Sequence, residues 1–387
     1  MQKLRVAIVI PTHYDINSSL SSLIKAYRHI IKTRNVEVTI FTDKKNNVSY
    51  KDFRIEKING LDYKTVFTKV LFLLGIPRFY YTDLIGRLKG YDVIESSNPE
   101  FYMFAYQSYK AAKKYNARLI FRTSQTVEGF FLYKLTKFIV NPIVRKSYDY
   151  AKWLLFTNPQ AAERCKNLGL IDKNAKKLIV TGHAVDTKTF KPEKAKKDAR
   201  TKSGINSIDA KKTILLSVGG LYKIKGHHLI IRALKKIVDK GYNAELWIVG
   251  DGYYKDYLMK LAKELDISDK VKFLGRKSHE ELAKIYNGSD IFVLANYQEI
   301  TPAVNEALAC KVPVVVMECG GREFIIPDKT HGMVSRKFDI DDMAEKIEYL
   351  IKNKKEARKM AEKGYKHVTK NFSVQNVANK IYKALVG

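Results

Sequence analysis

The sequence of 387 residues predicts an α/β protein with two doubly wound domains, each built on a parallel sheet that helices cover on both faces. Short β-branched runs alternate with longer helical patterns from one end of the chain to the other. The runs are continuously apolar, as strands buried on both faces are. Eleven such runs are many for one open sheet, so two sheets account for them better.

The predicted strands fall into two groups on either side of a polar segment. They are residues 5–11, 36–41, 92–95, 117–121, 153–157, 177–181, 213–218, 244–250, 271–275, 290–295 and 312–316. Residues 186–212 are rich in lysine and lack any buried-strand pattern, which indicates a linker region. The tail predicts a basic surface helix followed by a closing amphipathic helix.

The charge of the chain favours anionic partners. Seventy Lys and Arg residues stand against forty Asp and Glu residues, which gives a formal net charge of +30. Nucleic acid, anionic lipid and phosphorylated substrates fit this charge, and so does a lysine-rich composition that accompanies heat adaptation. The lysines are dispersed and no nucleic-acid-binding motif occurs, so we expect no nucleic-acid partner.

Cysteine usage and hydropathy predict a cytoplasmic protein. Cys165, Cys310 and Cys319 share no C-x-x-C spacing, which argues against a disulfide framework or a zinc site. The N-terminus reads as a first strand and not as a signal peptide, and no apolar run approaches the ~20 residues that span a bilayer. Two aromatic and basic segments, 67–90 and 130–146, fit helices at a membrane interface or ordinary helices packed on a sheet, so the inner membrane face is an alternative location.

Two loops after predicted strands carry suitable chemistry for a ligand, because ligands of open α/β sheets bind at the carboxyl ends of strands. In the first, Gly219 and Gly220 follow a strand, and Lys225 and Gly226 open a helix. Glycines let the backbone approach a phosphate closely, and the lysine adds a positive charge. Such a turn also serves merely to connect a strand to a helix.

The second loop leads into a helix that we expect to begin with Thr301 as its cap and Pro302 in its first turn. Glu299 then lies just before the helix and Glu306 about one turn inside it. The N–H groups of residues 301–304 and the positive end of the helix dipole suit a diphosphate. Glu306 can accept hydrogen bonds from two neighbouring sugar hydroxyls, although carboxylates are common near helix starts for structural reasons.

Other polar residues give weaker indications. His13, residues 17–19 and residues 123–125 follow strands of the first half, where a lone histidine is more often structural than catalytic. Asp339 and Asp341 match a D-x-D pattern, yet Asp339 and Asp342 fit the cap and third position of a helix, so we expect no metal site.

Seven segments in a fixed order resemble glycosyltransferase family 4, the retaining nucleotide-sugar transferases of the GT-B fold. The resemblance spans nearly the whole chain and is densest from 177 to 373. It rests on KLIVTGHAVDTKTFKP (177–192), SVGGLYKIKG (217–226), WIVGDGYY (247–254), VKFLGRKSHEEL (271–282), SDIFVLANYQE (289–299), EALACKVPVVV (306–316) and ECGGREFI (318–325).

The resemblance implies two Rossmann-like domains that face a cleft. The first, 1–185, would bind the acceptor, and the second, 213–370, would bind the nucleotide-sugar. Residues 186–212 would link them, and a closing helix within 371–387 would cross back and pack on the N-terminal domain.

The resemblance also implies roles for individual residues. Glu306 would hold the ribose hydroxyls, Lys225 would neutralise the leaving diphosphate, and Arg276 would lie near the base. The predicted catalytic residues are Lys225, Glu299 and Gln298; the predicted donor-binding residues are Gly219, Gly220, Gly250, Arg276, Thr301, Pro302, Ala303, Val304 and Glu306; those on the acceptor side are His13, Asn17, Ser18, Ser19 and Gln125.

Several positions depart from the family pattern. The family spaces its two glutamates eight positions apart, which puts Gln298 in register with the first, while Glu299 is one position off. Gly220 stands where the family has an arginine, and Gln125 where it has a histidine. The sequence leaves open whether Gln298 or Glu299 contacts the donor sugar.

The predicted function is the retaining transfer of a sugar from UDP- or GDP-sugar to a glycan or lipid-linked acceptor, without a metal or other cofactor. The alternatives are a nucleotide-sugar epimerase of the same fold, and a non-catalytic protein that binds a sugar nucleotide or a nucleic acid.

Overall fold

The computed structural model describes residues 2–10, 20–46, 51–60, 81–97, 103–123, 133–193 and 212–387. Two compact units divide the chain. Unit 1 comprises Met1–His183 together with Val374–Gly387, and unit 2 comprises Ala184–Ser373. The predicted linker, 186–212, lies within unit 2, and its residues 194–211 are outside the described part of the chain.

Unit 1 is built on a seven-stranded parallel sheet with the order β3-β2-β1-β4-β5-β6-β7. Its strands are β1 (Leu4–Val9), β2 (Val36–Asp43), β3 (Arg54–Ile58), β4 (Val93–Ser97), β5 (Arg118–Thr123), β6 (Trp153–Phe156) and β7 (Leu178–Val180). Its described helices are α1 (Leu20–Thr33), α2 (Leu84–Arg87), α3 (Met103–Tyr115), α4 (Tyr133–Tyr150), α5 (Pro159–Asn167) and the final helix, α13 (Val374–Val386), which packs against α1.

Unit 2 is built on a six-stranded parallel sheet with the order β10-β9-β8-β11-β12-β13. Its strands are β8 (Thr213–Val218), β9 (Ala244–Val249), β10 (Val271–Gly275), β11 (Ile291–Leu294), β12 (Val314–Met317) and β13 (Met333–Ser335). Its described helices are α6 (His227–Asp239), α7 (Lys255–Glu264), α8 (His279–Gly288), α9 (Pro302–Ala309), α10 (Arg322–Ile325), α11 (Ile340–Lys352) and α12 (Lys354–Phe372).

The strand order of unit 2 reverses between β8 and β11. Counted within the unit, the order is 3-2-1-4-5-6, which is the order of a dinucleotide-binding α/β sheet. Ligands of such sheets bind where the order reverses, at the carboxyl ends of the two central strands. The loops after β8 and β11 are therefore the places in unit 2 that the topology marks for a ligand.

All eleven predicted strands are confirmed, and the two-sheet α/β prediction is confirmed with them. Two strands were missed, β3 and β13, which lie at the outer edges of their sheets. Edge strands have only one paired side and tolerate charge, and β3 carries the alternating sequence RIEKI, while β13 has only three residues. Neither shows the continuous apolar run of a central strand.

Apolar residues fill both faces of the unit 2 sheet. Every residue of β9 is buried, including Glu245, whose carboxylate is held by the Lys212 and Lys272 amines at 2.8 Å each and by the Trp247 indole N–H at 2.6 Å. A charged residue in a buried strand is thus accommodated by full pairing. Rigid strands on both sides of the order reversal hold the loops that follow them.

Candidate donor site in unit 2

The loop after β8 approaches the loop after β9 closely through glycines. The N–H of Gly219 donates to the Val249 carbonyl oxygen at 3.0 Å. Gly250 has a φ of 141°, and a Cβ atom there would lie 1.9 Å from the Gly219 oxygen, so only glycine fits. Gly220 lies against the Tyr222 ring, which a Cβ would approach to 2.6 Å. Three predicted donor-binding residues are thereby brought together.

Lys225 is the last residue of a short 3-10 turn, Lys223–Lys225. Gly226 separates this turn from helix α6. Gly226 has a φ of 70°, and a Cβ atom would lie 2.0 Å from the Ala295 oxygen at the end of β11. The N–H of Tyr297 donates to the Ile224 oxygen at 3.0 Å. These contacts fasten the Lys225 turn to the loop after β11.

Lys225 and Glu299 interact across this junction. Burial lowers the pKa of the Lys225 amine, and the Glu299 charge opposes that shift. Burial raises the pKa of Glu299 to about 7, and Lys225 opposes it in turn. The Oε2 atom of Glu299 is buried and accepts no hydrogen bond. A shielded carboxylate with unused acceptor capacity beside a cation is an arrangement that a polar ligand would complete.

The backbone around Glu299 is fixed, and it turns Gln298 outward. The N–H of Gly320 donates to the Gln298 carbonyl oxygen at 2.9 Å, and the N–H of Ile300 donates to the Gly320 carbonyl oxygen at 2.9 Å. Asn296 donates from Nδ2 to the backbone carbonyl oxygen of Glu299 at 2.8 Å. Gln298 is exposed while Glu299 is half-buried. Of the two residues between which the sequence could not choose, Glu299 is the one that interacts with Lys225.

Helix α9 begins at Pro302 as predicted, and Glu299 and Glu306 take their predicted places before and inside it. Thr301 occupies the cap position of the helix, as predicted. Its side chain makes no capping hydrogen bond, because the buried Oγ1 has no partner, and the N–H of Val304 donates instead to the Thr301 carbonyl oxygen at 3.1 Å. The hydroxyl thus remains available to a ligand at the helix start.

Glu306 is positioned by a tyrosine that sequence reasoning missed. The buried Tyr286 hydroxyl, from α8, lies 3.1 Å from Oε2 of Glu306 and 3.1 Å from the Ala303 oxygen. Burial raises the pKa of Tyr286 well above its usual value, so the hydroxyl stays a donor. This bond fixes the carboxylate and links it to the first turn of α9. An apolar helix face with a tyrosine at its end was the only indication in the sequence.

A second missed group lies beneath the glycine loop. The Nδ1 atom of His227, the first residue of α6, lies 3.1 Å from Oγ of Ser217. Burial lowers the pKa of His227 to about 4, so the ring is neutral at pH 7. A neutral imidazole supports the loop without adding to the charge of Lys225.

Arg276 follows β10 and is exposed. In the described part of the chain it makes no hydrogen bond or ion pair, and no contact places it beside Lys225 or Glu299. The Gly275 oxygen accepts the N–H of Gly250 at 2.9 Å, which ties the segment before Arg276 to the glycine junction. Its predicted role near the base stays a prediction.

The predicted acceptor-side residues His13, Asn17, Ser18, Ser19 and Gln125 lie outside the described residues. Unit 1 has a buried polar group nearby in sequence that was missed. Glu95 of β4 accepts from the Tyr27 hydroxyl and from Nε of Arg122 at 2.8 Å. Charged residues inside otherwise apolar strands, in DVIESS and RLIFRT, were the available signal.

The D-x-D pattern is confirmed as a helix start. Oδ1 of Asp339 accepts the N–H of Asp342 at 2.8 Å, and α11 begins directly after it. Among the residues that the structure describes, no three His, Cys, Asp or Glu side chains gather closely enough to hold a metal ion. Cys165, Cys310 and Cys319 are buried thiols that form no disulfide.

Comparison with solved structures identifies the class of fold. A glycosyltransferase from Rickettsia africae matches the chain with a TM-score of 0.77 at 18% identity, covering 100% of this chain and 98% of that one. An Anabaena protein crystallised in complex with UDP matches with a TM-score of 0.78 at 14% identity, covering 98% and 99%. The fold is therefore that of the GT-B proteins, as predicted.

The sequence comparison adds a match to a family model. Residues 198–367, which lie within unit 2, match the model described as glycosyl transferases group 1. A D-inositol 3-phosphate glycosyltransferase of Mycobacterium sp. (strain KMS) is 30% identical over 205 residues, which are 52% of this chain and 45% of that protein. The chain thus spans less than half the length of this relative.

A longer match is to a transferase of Campylobacter jejuni, N,N'-diacetylbacillosaminyl-diphospho-undecaprenol alpha-1,3-N-acetylgalactosaminyltransferase. It is 28% identical over 286 residues, which are 72% of this chain and 73% of that protein. No helix in the described ranges is both long and apolar enough to cross a lipid bilayer.

Proposed function

We propose that the chain is a retaining, metal-independent glycosyltransferase of family 4 that moves a sugar from UDP- or GDP-sugar to a glycan or lipid-linked acceptor. The observation that carries this proposal is that the Lys225 amine and the buried Glu299 carboxyl lie close enough for each charge to shift the pKa of the other, at the order reversal of unit 2 and next to the start of α9. The cation and the helix start suit the two phosphates of a sugar diphosphate. The carboxylate, which has an unused acceptor oxygen, suits a hydroxyl of the sugar.

Each residue of the site would bind a different part of the nucleotide-sugar. The Lys225 amine and the N–H groups at the start of α9 would hold the diphosphate and stabilise its charge as the glycosidic bond breaks. Glu306, held by Tyr286, would accept hydrogen bonds from the ribose hydroxyls. Glu299 would accept a hydrogen bond from the donor sugar. In this scheme the leaving phosphate takes the acceptor proton, so no protein base is required.

The names of the relatives support the acceptor class. The Campylobacter relative acts on a diphospho-undecaprenol and a Corynebacterium glutamicum relative on a phosphatidylinositol monomannoside, according to their names. Both acceptors carry a lipid. We therefore include a lipid-linked acceptor, and association with the inner face of a membrane, in the proposal. The net charge of +30 supports binding to an anionic surface.

Release of nucleoside diphosphate tests the proposed activity. The protein is incubated with UDP- or GDP-sugars, a chelator and membrane lipid extract, and free UDP or GDP is measured. We expect release from one donor class, with a rate about 100-fold lower in Lys225→Ala because the diphosphate loses its cation. Lys354→Ala, which removes an exposed lysine of α12, is the matched control and should match the wild type.

Two results would contradict the proposal. Conversion of the donor into an isomeric nucleotide-sugar, without free UDP or GDP, would identify an epimerase. A Lys225→Ala variant that releases nucleotide as fast as the wild type would remove Lys225 from the mechanism.

A further inference from the structure

Seven aromatic rings form a continuous array on unit 2, at the carboxyl edge of its sheet. We call this array the aromatic face. Its members are Tyr222, His228, Tyr253, Tyr254, Tyr257, Tyr297 and Phe338. They come from four separate segments of the chain: the loops after β8, β9 and β11, each with the helix that follows, and the segment before α11.

Ring contacts join these segments. Tyr254 and Tyr257 stack with their centroids 4.5 Å apart. Tyr297 meets Phe338 edge-on at 4.8 Å, and His228 lies 6.0 Å from Tyr297. The Tyr297 hydroxyl and Nε2 of His228 are 2.7 Å apart. The face is therefore a fixed part of the fold.

The aromatic face concentrates exposed apolar surface. Eight large apolar side chains are exposed among the described residues, and three of them belong to the aromatic face. Tyr253 is 76% exposed, Phe338 51% and Tyr257 43%. Single exposed apolar residues are ordinary, but a cluster of this kind marks an interaction surface.

The backbone of Phe338 is strained, which is a second observation that points to this surface. It has a φ of 62°, in the left-handed region that bulky residues avoid, while its side chain points largely into solvent. Its N–H donates to the Met317 sulfur at 3.2 Å, which fixes the strained backbone. The contact with Tyr297 explains only part of this position, because half of a large apolar side chain stays exposed at a conformational cost. Strain of this kind is kept at functional positions.

Cations surround the rings. Lys223, Arg232, Lys255 and Lys337 adjoin members of the face, and within the described residues none of them has an ion-pair partner. Nζ of Lys337 lies 5.4 Å from the Phe338 ring centroid. Three carboxylates lie in the same region, and one of them, Asp339, pairs with Arg336, so the positive charges are in excess over the remaining two, Asp251 and Asp256.

We propose that the aromatic face docks unit 2 on a membrane surface that contains anionic lipid. Tyrosines suit the headgroup region because the ring is apolar and the hydroxyl remains hydrated. Lysine and arginine side chains beside them attract anionic headgroups. Tyr253, Tyr257 and Phe338 would enter the interface, and the cations would contact lipid phosphates.

The aromatic face adjoins the loops of the candidate donor site, so docking would also place that site at the membrane. This consequence rests on the proposed function. Tyr297 directly precedes Gln298 and Glu299, and Tyr222 directly precedes the turn that ends at Lys225. Docking would therefore hold the donor loops next to the lipid surface. A lipid-linked acceptor would meet the donor there.

Vesicle sedimentation tests the docking. The full chain is mixed with phosphatidylcholine vesicles and with vesicles that also contain phosphatidylglycerol. We expect sedimentation only with the anionic vesicles, and a partition coefficient about tenfold lower in the Tyr253→Ser/Tyr257→Ser variant. Tyr349→Ser is the matched control, because Tyr349 is 42% exposed on α11 and takes part in no ring contact of the face. It should bind like the wild type.

Phe338→Gly separates docking from folding. Glycine relieves the left-handed backbone, so this variant should be at least as stable as the wild type while it binds anionic vesicles more weakly. Equal vesicle binding by wild type and all three variants would overturn the proposal, and so would a wild type that binds neither vesicle. Poly(U) binding that the double variant loses, with no vesicle binding, would also overturn it and assign the face to a nucleic acid.

UDP and GDP titrations of the same variants test the donor site separately from the docking of the aromatic face. The double variant should bind nucleotide like the wild type. Vesicle binding without nucleotide binding would leave the docking face standing and reject the donor site, and the converse result would reject only the docking face.

Discussion

Glu299 and Glu306 both adjoin helix α9, yet their surroundings give them different properties. Glu306 is held by the Tyr286 hydroxyl, whereas Oε2 of Glu299 accepts no hydrogen bond and the charge of Lys225 opposes the rise that burial causes in the pKa of its carboxyl. A catalytic acid–base pair would need two groups that exchange protons at one reacting atom. The two glutamates are better explained as two separate contacts along an extended ligand.

The raised pKa of Glu299 makes folding stability depend on pH. In the unfolded chain this carboxyl titrates near 4.5, and in the folded protein near about 7. Between these values the folded state holds the extra proton, so stability falls as pH rises from about 4.5 to about 7 and then levels off.

We therefore predict that Glu299→Gln is more stable than the wild type by about 2 kcal/mol at pH 8 and equal to it near pH 4.5. Chemical denaturation at the two pH values measures this difference. The exposed Glu280→Gln should show no such pH-dependent gain. An equal effect of both substitutions at pH 8 would show that the Glu299 carboxylate bears no burial cost.

Tyr286→Phe removes the hydroxyl that lies 3.1 Å from Glu306 and 3.1 Å from the Ala303 oxygen. We expect a loss of about 1 kcal/mol in the free energy of unfolding, because the one hydroxyl proton that these two acceptors share is removed. The dissociation constant of UDP or GDP should rise about threefold to tenfold because the Glu306 carboxylate loses the hydrogen bond from Tyr286 that orients it. Calorimetry on this variant and on Tyr349→Phe measures both effects; an unchanged nucleotide affinity would reject the positioning role of Tyr286.

At the scale of elements, two glycines in one loop have opposite tolerance to a side chain. A Cβ atom at Gly226 would lie 2.0 Å from the Ala295 oxygen at a φ of 70°, whereas one at Gly219 would come no closer than 3.8 Å to the nearest atom, Nε2 of His227. We predict that Gly226→Ala costs about 2 kcal/mol or more of stability and Gly219→Ala less than about 1 kcal/mol. Urea denaturation compares them, and similar losses would contradict the close approach of the Lys225 turn to β11.

The sequence was most informative where one physical signal dominated. Continuous apolar runs identified the central strands, while the edge strands β3 and β13 lack that signal. The start of α9 was predicted from Thr301 and Pro302, but the local pattern could not show that the Thr301 hydroxyl would stay unpaired. Tyr286 and His227 were missed because their roles depend on contacts made by the folded loops and helices.

At the scale of the whole molecule, both units use the same strand order at their centres. In each, the order reverses beside the first strand, between β1 and β4 in unit 1 and between β8 and β11 in unit 2. Glycines, Lys225 and the start of α9 gather at the reversal in unit 2. The charged residues Glu95 and Arg122 lie in the two strands on one side of the reversal in unit 1.

The central claim is that unit 2 binds a nucleotide through Glu306, and calorimetric titration with UDP, GDP, CMP and AMP in a chelator tests it most directly. We predict that UDP or GDP binds the wild type and Glu280→Gln alike, and that Glu306→Gln weakens that binding about tenfold or more by removing the charged acceptor of the ribose hydroxyls. Absence of binding by all four nucleotides, or equal affinity of the wild type and Glu306→Gln, would contradict the donor site.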